Sequence, residues 1–137
     1  MVTGGGTGIG AAVARRLASE GANVAVMGRR REPLQALADE TGCFLVQADA
    51  ADSVAVRAAL KEIHGKFGRV DILIANAGGH GVGPTISMTD ETWSLATRLN
   101  LDTAFVCARS TDARSLGCDR RPFARAGWPR FPKDTRS

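Results

Sequence analysis

A glycine-rich turn between a short apolar strand and a helix is the strongest chemical signal in the sequence. It runs from Thr3 to Gly10 and reads TGGGTGIG, with five glycines in the seven positions 4–10. Glycine permits positive φ angles and close backbone approach, and the N–H groups at the start of the next helix attract a pyrophosphate. Ala11 and Ala12 stand where a Walker A loop needs Lys and Ser or Thr, which excludes that motif. A tight turn without a ligand is the alternative, but five glycines favour nucleotide binding. The residues expected to contact the nucleotide are Thr3, Gly4, Thr7, Gly8 and Ile9.

The loop belongs to an alternation of short apolar runs and amphipathic helices. Strands are predicted over 1–3, 23–27, 43–47 and 70–75, and helices over 9–20, 32–42, 52–68 and 89–108. Strands that are apolar throughout predict a parallel sheet covered by helices on both faces. The predicted class is therefore α/β, a Rossmann-type doubly wound parallel sheet that is incomplete, with about four strands. The third helix is expected to start at Asp52, to run through Val54, Val56, Leu60 and Ile63, and to be closed by Gly65 and Gly68.

Composition indicates a soluble globular protein. The chain has 137 residues, of which 44% are hydrophobic and 23% charged, and no apolar run is long enough to span a membrane. Its start does not resemble a signal peptide. Cys43, Cys107 and Cys118 lack paired spacing, which favours a reducing cytoplasm and argues against disulfides and a metal site.

The positive charge is concentrated in a tail over 109–137. Residues 1–108 hold 10 basic and 11 acidic residues, whereas 109–137 hold 8 basic and 3 acidic residues, with seven arginines and three prolines. We therefore expect a dinucleotide-binding part over 1–108 and a tail that is disordered or translated out of frame. A frameshift after Phe105-Val106 and a misassigned start at Met1 are two hypotheses consistent with this pattern. A nucleic-acid arm is disfavoured, because Arg with interleaved Pro is also typical of a solvated end.

Four motifs over about 1–108 together resemble the short-chain dehydrogenase/reductase family. Thr3, Gly4, Gly8 and Gly10 match its fingerprint T-G-x-x-x-G-x-G. The resemblance implies three further roles. Asp49, followed by Ala50, would contact the adenine ring. Asn76-Ala77-Gly78 would support the central sheet and approach the cofactor. Asn100 would be the Asn of the catalytic tetrad. Without the family match, Asp49 could simply begin the loop that Asp52 caps, and Asn76 could be an ordinary turn residue.

The end of the second strand predicts which cofactor binds. An acidic residue there bonds the ribose 2′-OH of NAD, whereas Arg accommodates a 2′-phosphate. Here Gly28 takes the acidic position and three arginines follow, so NADP(H) is favoured over NAD(H). Arg29 is expected to bind the phosphate and Arg31 to face solvent. Thr7 stands where the family often adds a basic residue for NADP, which counts against this preference.

The catalytic part of the resembled family is missing from the sequence. That family moves a hydride between nicotinamide and a carbonyl or alcohol carbon, using Tyr as proton donor and a Lys four positions later. The chain has no Tyr, and its only lysine after Lys66 is Lys133. We expect an inactive NADP(H)-binding portion of an oxidoreductase whose intact parent acts on a small carbonyl or alcohol substrate. The alternative is a nucleotide-binding or regulatory module without redox chemistry. The sequence leaves the oligomeric state open, because the resembled family pairs the Thr89 helix with a later helix that is absent; a homo-oligomer is considered for the parent rather than for this chain.

Overall fold

Three short parallel strands form the centre of the fold. The structure is a computed structural model and describes residues 1–79 and 83–111. The strands and the helices that connect them are β1 (Val2–Thr3), α1 (Gly8–Ser19), β2 (Ala25–Gly28), α2 (Arg31–Thr41) and β3 (Phe44–Gln47). Strand β2 lies in the middle and pairs in parallel with both β1 and β3. This order requires a helical crossover between successive strands, as in a doubly wound sheet.

The segment expected as a fourth strand runs along the free side of β1. Ile74 forms an isolated parallel bridge with Val2. Thr3 N–H donates to the Ile74 carbonyl (3.0 Å), and Ile74 N–H donates to the Met1 carbonyl (2.9 Å). The α/β Rossmann class is confirmed, but the prediction of a full strand over 70–75 is wrong. In the described part of the chain the segment pairs with β1 through Ile74 alone, and a single bridge does not make a strand.

Helices complete both layers, and the core lies on the two faces of the sheet. They are α3 (Ser53–Phe67), α4 (Asp90–Thr97) and α5 (Thr103–Ser110). One cluster of buried residues lies between the sheet, α1 and α2, and the other between the sheet, α3 and α5. Val56, Leu60 and Ile63 of α3 are buried, whereas Val54 is 67% exposed. Val54 and Val56 differ because residues two apart on a helix point in different directions.

The helix ends follow the capping residues of the sequence. Asp52 caps α3 as expected, since its carboxylate accepts from Val54 N–H (2.8 Å) and Ala55 N–H (3.2 Å). Of the two glycines expected to close α3, Gly68, with φ of 80°, ends the helix, whereas Gly65 lies inside it. Thr89 caps α4. The longest helix of the described ranges has 15 residues, and none of them is both long and apolar enough to cross a membrane.

Only the first residues of the predicted tail belong to the described part of the chain. Helix α5 continues past the expected boundary at 108 and ends at Ser110. Residues 112–137, including Cys118, lie outside the described residues. The division into a part over 1–108 and a tail over 109–137 therefore stays a prediction.

Candidate cofactor site

A cleft of about 270 Å³ opens at the carboxyl ends of the three strands. Its walls are the glycine-rich loop, the β2–α2 connection, the β3–α3 connection and the segment after Ile74. Open α/β sheets bind their ligands in this kind of crevice. Eight of the eleven residues predicted to bind the cofactor line it: Gly4, Thr7, Arg29, Asp49, Ala50, Asn76, Ala77 and Gly78.

The glycine-rich loop is shaped for close backbone approach. Gly4 has φ of 64°, and a Cβ there would lie 2.9 Å from the Cα of Ala77. A Cβ on Gly10 would overlap the carbonyl oxygen of Gly4, so a side chain would push the start of α1 away from the loop. Thr7 is the N-cap residue of α1, and its side chain makes no capping hydrogen bond. The first-turn N–H groups therefore have no side-chain cap, which suits an anion at this end of α1.

Thr3 lies behind the cleft and holds one of its walls. Its side chain is 1% exposed and does not line the cleft. The Thr3 hydroxyl oxygen accepts from Asn76 N–H (3.0 Å) and from Ala77 N–H (2.9 Å). In return, the Asn76 side-chain amide donates to the Thr3 carbonyl (3.0 Å). Thr3 therefore positions the Asn76-Ala77-Gly78 segment. Gly8 and Ile9 also lie outside the lining, so cofactor contacts by these three residues stay predictions.

The β3–α3 connection forms a second wall of the cleft. One carboxylate oxygen of Asp49 accepts from Ala51 N–H (2.9 Å), so this side chain shapes the turn that leads into α3, the helix that Asp52 caps. Asp49 is also half-buried and lines the cleft. The two interpretations of Asp49 are therefore compatible: it forms the turn, and it is presented to a ligand. Contact with an adenine ring stays a prediction.

Two buried cysteines lie in the described ranges, and both are free. The Cys107 thiol donates to the Ala50 carbonyl at 3.7 Å. Burial, and to a smaller extent the nearby Asp49 carboxylate, raise the pKa of Cys107 to about 11. The thiol therefore keeps its proton at neutral pH and is a packing group rather than a nucleophile. Within 1–79 and 83–111, no group of three His, Cys, Asp or Glu side chains is placed to hold a metal ion.

A basic corner forms where β2 ends. Arg29 and Arg30 both line the cleft, next to Gly28, while the exposed Arg31 lies outside the lining. The charged residues of the lining are these two arginines and Asp49. The sequence predicted Arg29 as a cofactor-binding residue but did not predict Arg30. The run of three arginines was the available signal, but it does not reveal which side chains lie toward the cleft.

Asn100 lies next to the cleft and hydrogen-bonds to Gly79 at its edge. The helix predicted over 89–108 is interrupted by a π-helical turn, Arg98–Asp102, with Asn100 at its centre. The Asn100 amide donates to the carbonyls of Gly79 (2.7 Å) and Ala96 (2.8 Å), and its side-chain oxygen accepts from Gly79 N–H (3.2 Å). The bond to the carbonyl four residues back supports the wider turn. A catalytic role for Asn100 stays a prediction; the structure gives it a positioning role.

The residues beside Asn100 were missed by sequence analysis. Leu99 and Thr103 both line the cleft. The Thr103 hydroxyl donates to the Ala77 carbonyl (3.0 Å), which ties α5 to the same segment that Thr3 holds from the other side. Residues four apart on a helix share a face, so this spacing was a usable signal.

Comparison with known proteins identifies the family. Residues 1–113 match the family described as short chain dehydrogenase. The chain is 36% identical over 115 residues to a 3beta-hydroxysteroid dehydrogenase of Mediterraneibacter gnavus, covering 80% of this chain and 42% of that protein. It is 34% identical over 122 residues to the 3-oxoacyl-acyl-carrier-protein reductase FabG of Staphylococcus aureus, covering 85% and 50%. The chain belongs to the short-chain dehydrogenase family, and the resemblance stated above is confirmed.

Solved structures agree with this assignment. A 3-ketoacyl-ACP reductase from Sinorhizobium meliloti superposes with a TM-score of 0.77 at 34% identity, covering 84% of this chain and 47% of that one. A variant of actinorhodin polyketide ketoreductase, solved with NADPH, superposes with a TM-score of 0.78 at 30% identity, covering 85% and 46%. The chain spans about half the length of the curated relatives it matches, from 42% to 50% of each.

Proposed function

We propose that this chain binds NADP(H) in the cleft, as the cofactor-binding portion of a short-chain reductase. The observation that carries the proposal is the basic corner, where Arg29 and Arg30 line the cleft beside Gly28. A carboxylate at the end of β2 would bond a ribose 2′-OH and repel a 2′-phosphate, whereas a guanidinium binds a phosphate with two N–H groups. The positions of these residues therefore favour NADP(H) over NAD(H).

The rest of the cleft suits the remaining parts of the cofactor. The uncapped start of α1 and the glycine-rich loop would hold the pyrophosphate, and Asp49 with Ala50 would hold the adenine ring. The Asn76-Ala77-Gly78 segment, fixed from behind by Thr3, would form the wall toward the nicotinamide. The bound cofactor would supply a hydride for a carbonyl or accept one from an alcohol.

Binding and chemistry are separable in this proposal. Reduction of a carbonyl requires a proton donor, and the sequence holds no Tyr for that role. We propose that residues 1–137 bind the cofactor without transferring its hydride, and that hydride transfer belongs to an intact parent acting on a small carbonyl or alcohol. The names of the relatives, which include dehydrogenases and reductases of such compounds, support this substrate class. Free buried Cys43 and Cys107 favour a reducing compartment such as the cytoplasm.

Cofactor titration tests the proposal. NADPH and NADH are titrated separately into the 137-residue chain, with nicotinamide fluorescence as the readout. We expect NADPH to bind more tightly than NADH, and Arg29→Ala to weaken NADPH about 10-fold or more while leaving NADH nearly unchanged, as expected for a lost charge-assisted bond. Arg31→Ala is the matched control, because Arg31 belongs to the same basic run and lies outside the cleft lining.

Three outcomes would contradict the proposal. Equal or tighter binding of NADH would remove the preference for NADP(H). No binding of either cofactor would remove the binding function. Loss of NADPH absorbance with a panel of small ketones, above the rate in buffer, would contradict the separation of binding from hydride transfer.

A further inference from the structure

We propose that Gln47 is a positioning residue for recognition of the cofactor 2′-phosphate, an inference that rests on the proposed function. Gln47 is the last residue of β3 and pairs in register with Gly28, the last residue of β2. Its side-chain amide donates to the Arg29 carbonyl at 2.8 Å. The residue does not line the cleft, so its influence on a ligand would pass through Arg29.

The bond lies where the chain leaves the sheet. Ala48 N–H donates to the Gly28 carbonyl (3.0 Å), which is the last backbone bond between the two strands in this direction. The side-chain amide of Gln47 continues the ladder by one step, to the Arg29 carbonyl. Two residues, Arg29 and Arg30, then connect β2 to α2, and Arg30 is the extended N-cap residue of that helix, with no side-chain capping bond.

Fixing one carbonyl restrains the backbone of both arginines. The Arg29 carbonyl and the Arg30 N–H belong to one planar peptide unit, so a bond to the carbonyl restrains the plane of the whole unit. The orientation of that plane enters the ψ angle of Arg29 and the φ angle of Arg30, and the directions of their Cα–Cβ bonds depend on these angles. Without the bond, rotation of this unit would spread both guanidinium groups over a wider range of positions, and a planar guanidinium needs a fixed orientation to bind a phosphate with two N–H groups.

Packing in the core does not explain the presence of glutamine at position 47. The side chain is exposed, whereas its strand neighbour Val46 is buried in the core. An exposed hydrogen bond to a connection contributes little to overall stability. Its consequence is therefore local, in the geometry of the basic corner.

The test distinguishes binding of the 2′-phosphate from binding of the rest of the cofactor. The probes are 2′,5′-ADP and 5′-ADP, titrated by calorimetry into the 137-residue chain. Gln47→Met keeps the length of the side chain and removes the donor. Gln35→Met is the matched control, because Gln35 is an exposed glutamine that donates to Asp39 at 2.8 Å, away from the cleft. Urea denaturation of each variant verifies that it is folded.

We expect Gln47→Met to weaken the affinity for 2′,5′-ADP about five-fold, which corresponds to one net hydrogen bond. The affinity for 5′-ADP should change less than about two-fold. Gln35→Met should change neither affinity. In an Arg29→Ala background the effect of Gln47→Met should shrink, because the residue acts through the arginines. Equal weakening of both probes would indicate a merely structural role and overturn the inference.

The result for the wild-type chain separates the two proposals. If the wild type prefers 2′,5′-ADP over 5′-ADP and Gln47→Met leaves that preference intact, the inference about Gln47 fails and the proposed function stands. If the wild type shows no preference, the NADP(H) proposal fails, and the role of Gln47 fails with it.

Discussion

Replacing Thr3 with valine should destabilise the chain far more than the loss of one hydroxyl at a surface would. The Thr3 hydroxyl accepts from two backbone N–H groups, Asn76 and Ala77, at 3.0 and 2.9 Å. Valine has nearly the same shape and offers no acceptor. Each buried donor left without a partner costs about 1–3 kcal/mol. The two N–H groups are half-buried, so we place the total cost of Thr3→Val at about 2–4 kcal/mol.

Thr3→Ser provides the control for this prediction. Serine keeps the hydroxyl and loses one methyl group, which costs about 1 kcal/mol in a buried position. The order of stability should therefore be wild type, then Ser, then Val, whereas hydrophobicity alone would place Val first. Urea denaturation gives the free energy of unfolding, and NADPH titration reports on the displaced Asn76-Ala77-Gly78 wall. The reasoning is refuted if Thr3→Val lies within about 0.5 kcal/mol of the wild type, or if it is more stable than Thr3→Ser.

The remaining predictions concern three other positions. Gly78→Ala should weaken NADPH binding and lower the melting temperature, because its Cβ would lie 2.9 Å from the side-chain oxygen of Asn100; unchanged affinity and melting would contradict this. Backbone N–H groups of α3 lower the pKa of Asp52 below 3.8, so its stabilising effect is present above that pH and is lost as the pH falls through the lower folded value. Melting temperatures of wild type and Asp52→Ala should differ at neutral pH and converge as the pH falls below 3.8, and a gap that does not shrink with falling pH would count against the cap. In a Cys118→Ser variant, iodoacetamide should label Cys107 at about pH 8 only after unfolding, because burial keeps the thiol protonated; labelling of the folded protein at the rate of a free peptide would exclude that environment.

Local signals in the sequence were enough to predict the frame of the fold. Gly4 and Gly10 indicate a turn that admits no side chain, and in the structure a Cβ at either position would meet neighbouring backbone. Asp52 before an apolar helical pattern predicts the start of α3, and it caps that helix with two bonds. These features depend on residues close in sequence, which is why spacing alone reveals them.

Features that depend on distant partners were not predictable from the sequence. The apolar pattern of 70–75 is typical of a strand, but strand formation requires a paired neighbour, and in the described residues only Ile74 bridges to β1. The π-helical turn around Asn100 was not predictable either, because Asn100 at its centre bonds to Gly79, which is distant in sequence. Arg30 shows the same limit, since a run of three arginines does not reveal which side chains line a cleft.

Contacts from three elements hold the wall of the cleft that Asn76-Ala77-Gly78 forms. Thr3 binds the Asn76 and Ala77 N–H groups from the sheet, Thr103 binds the Ala77 carbonyl from α5, and Asn100 binds Gly79 through both ends of its amide. All of these partners lie within the described part of the chain. A wall fixed in this way exists before a cofactor arrives, so binding needs little ordering of this wall. Cofactor affinity should therefore depend on residues that this chain contains.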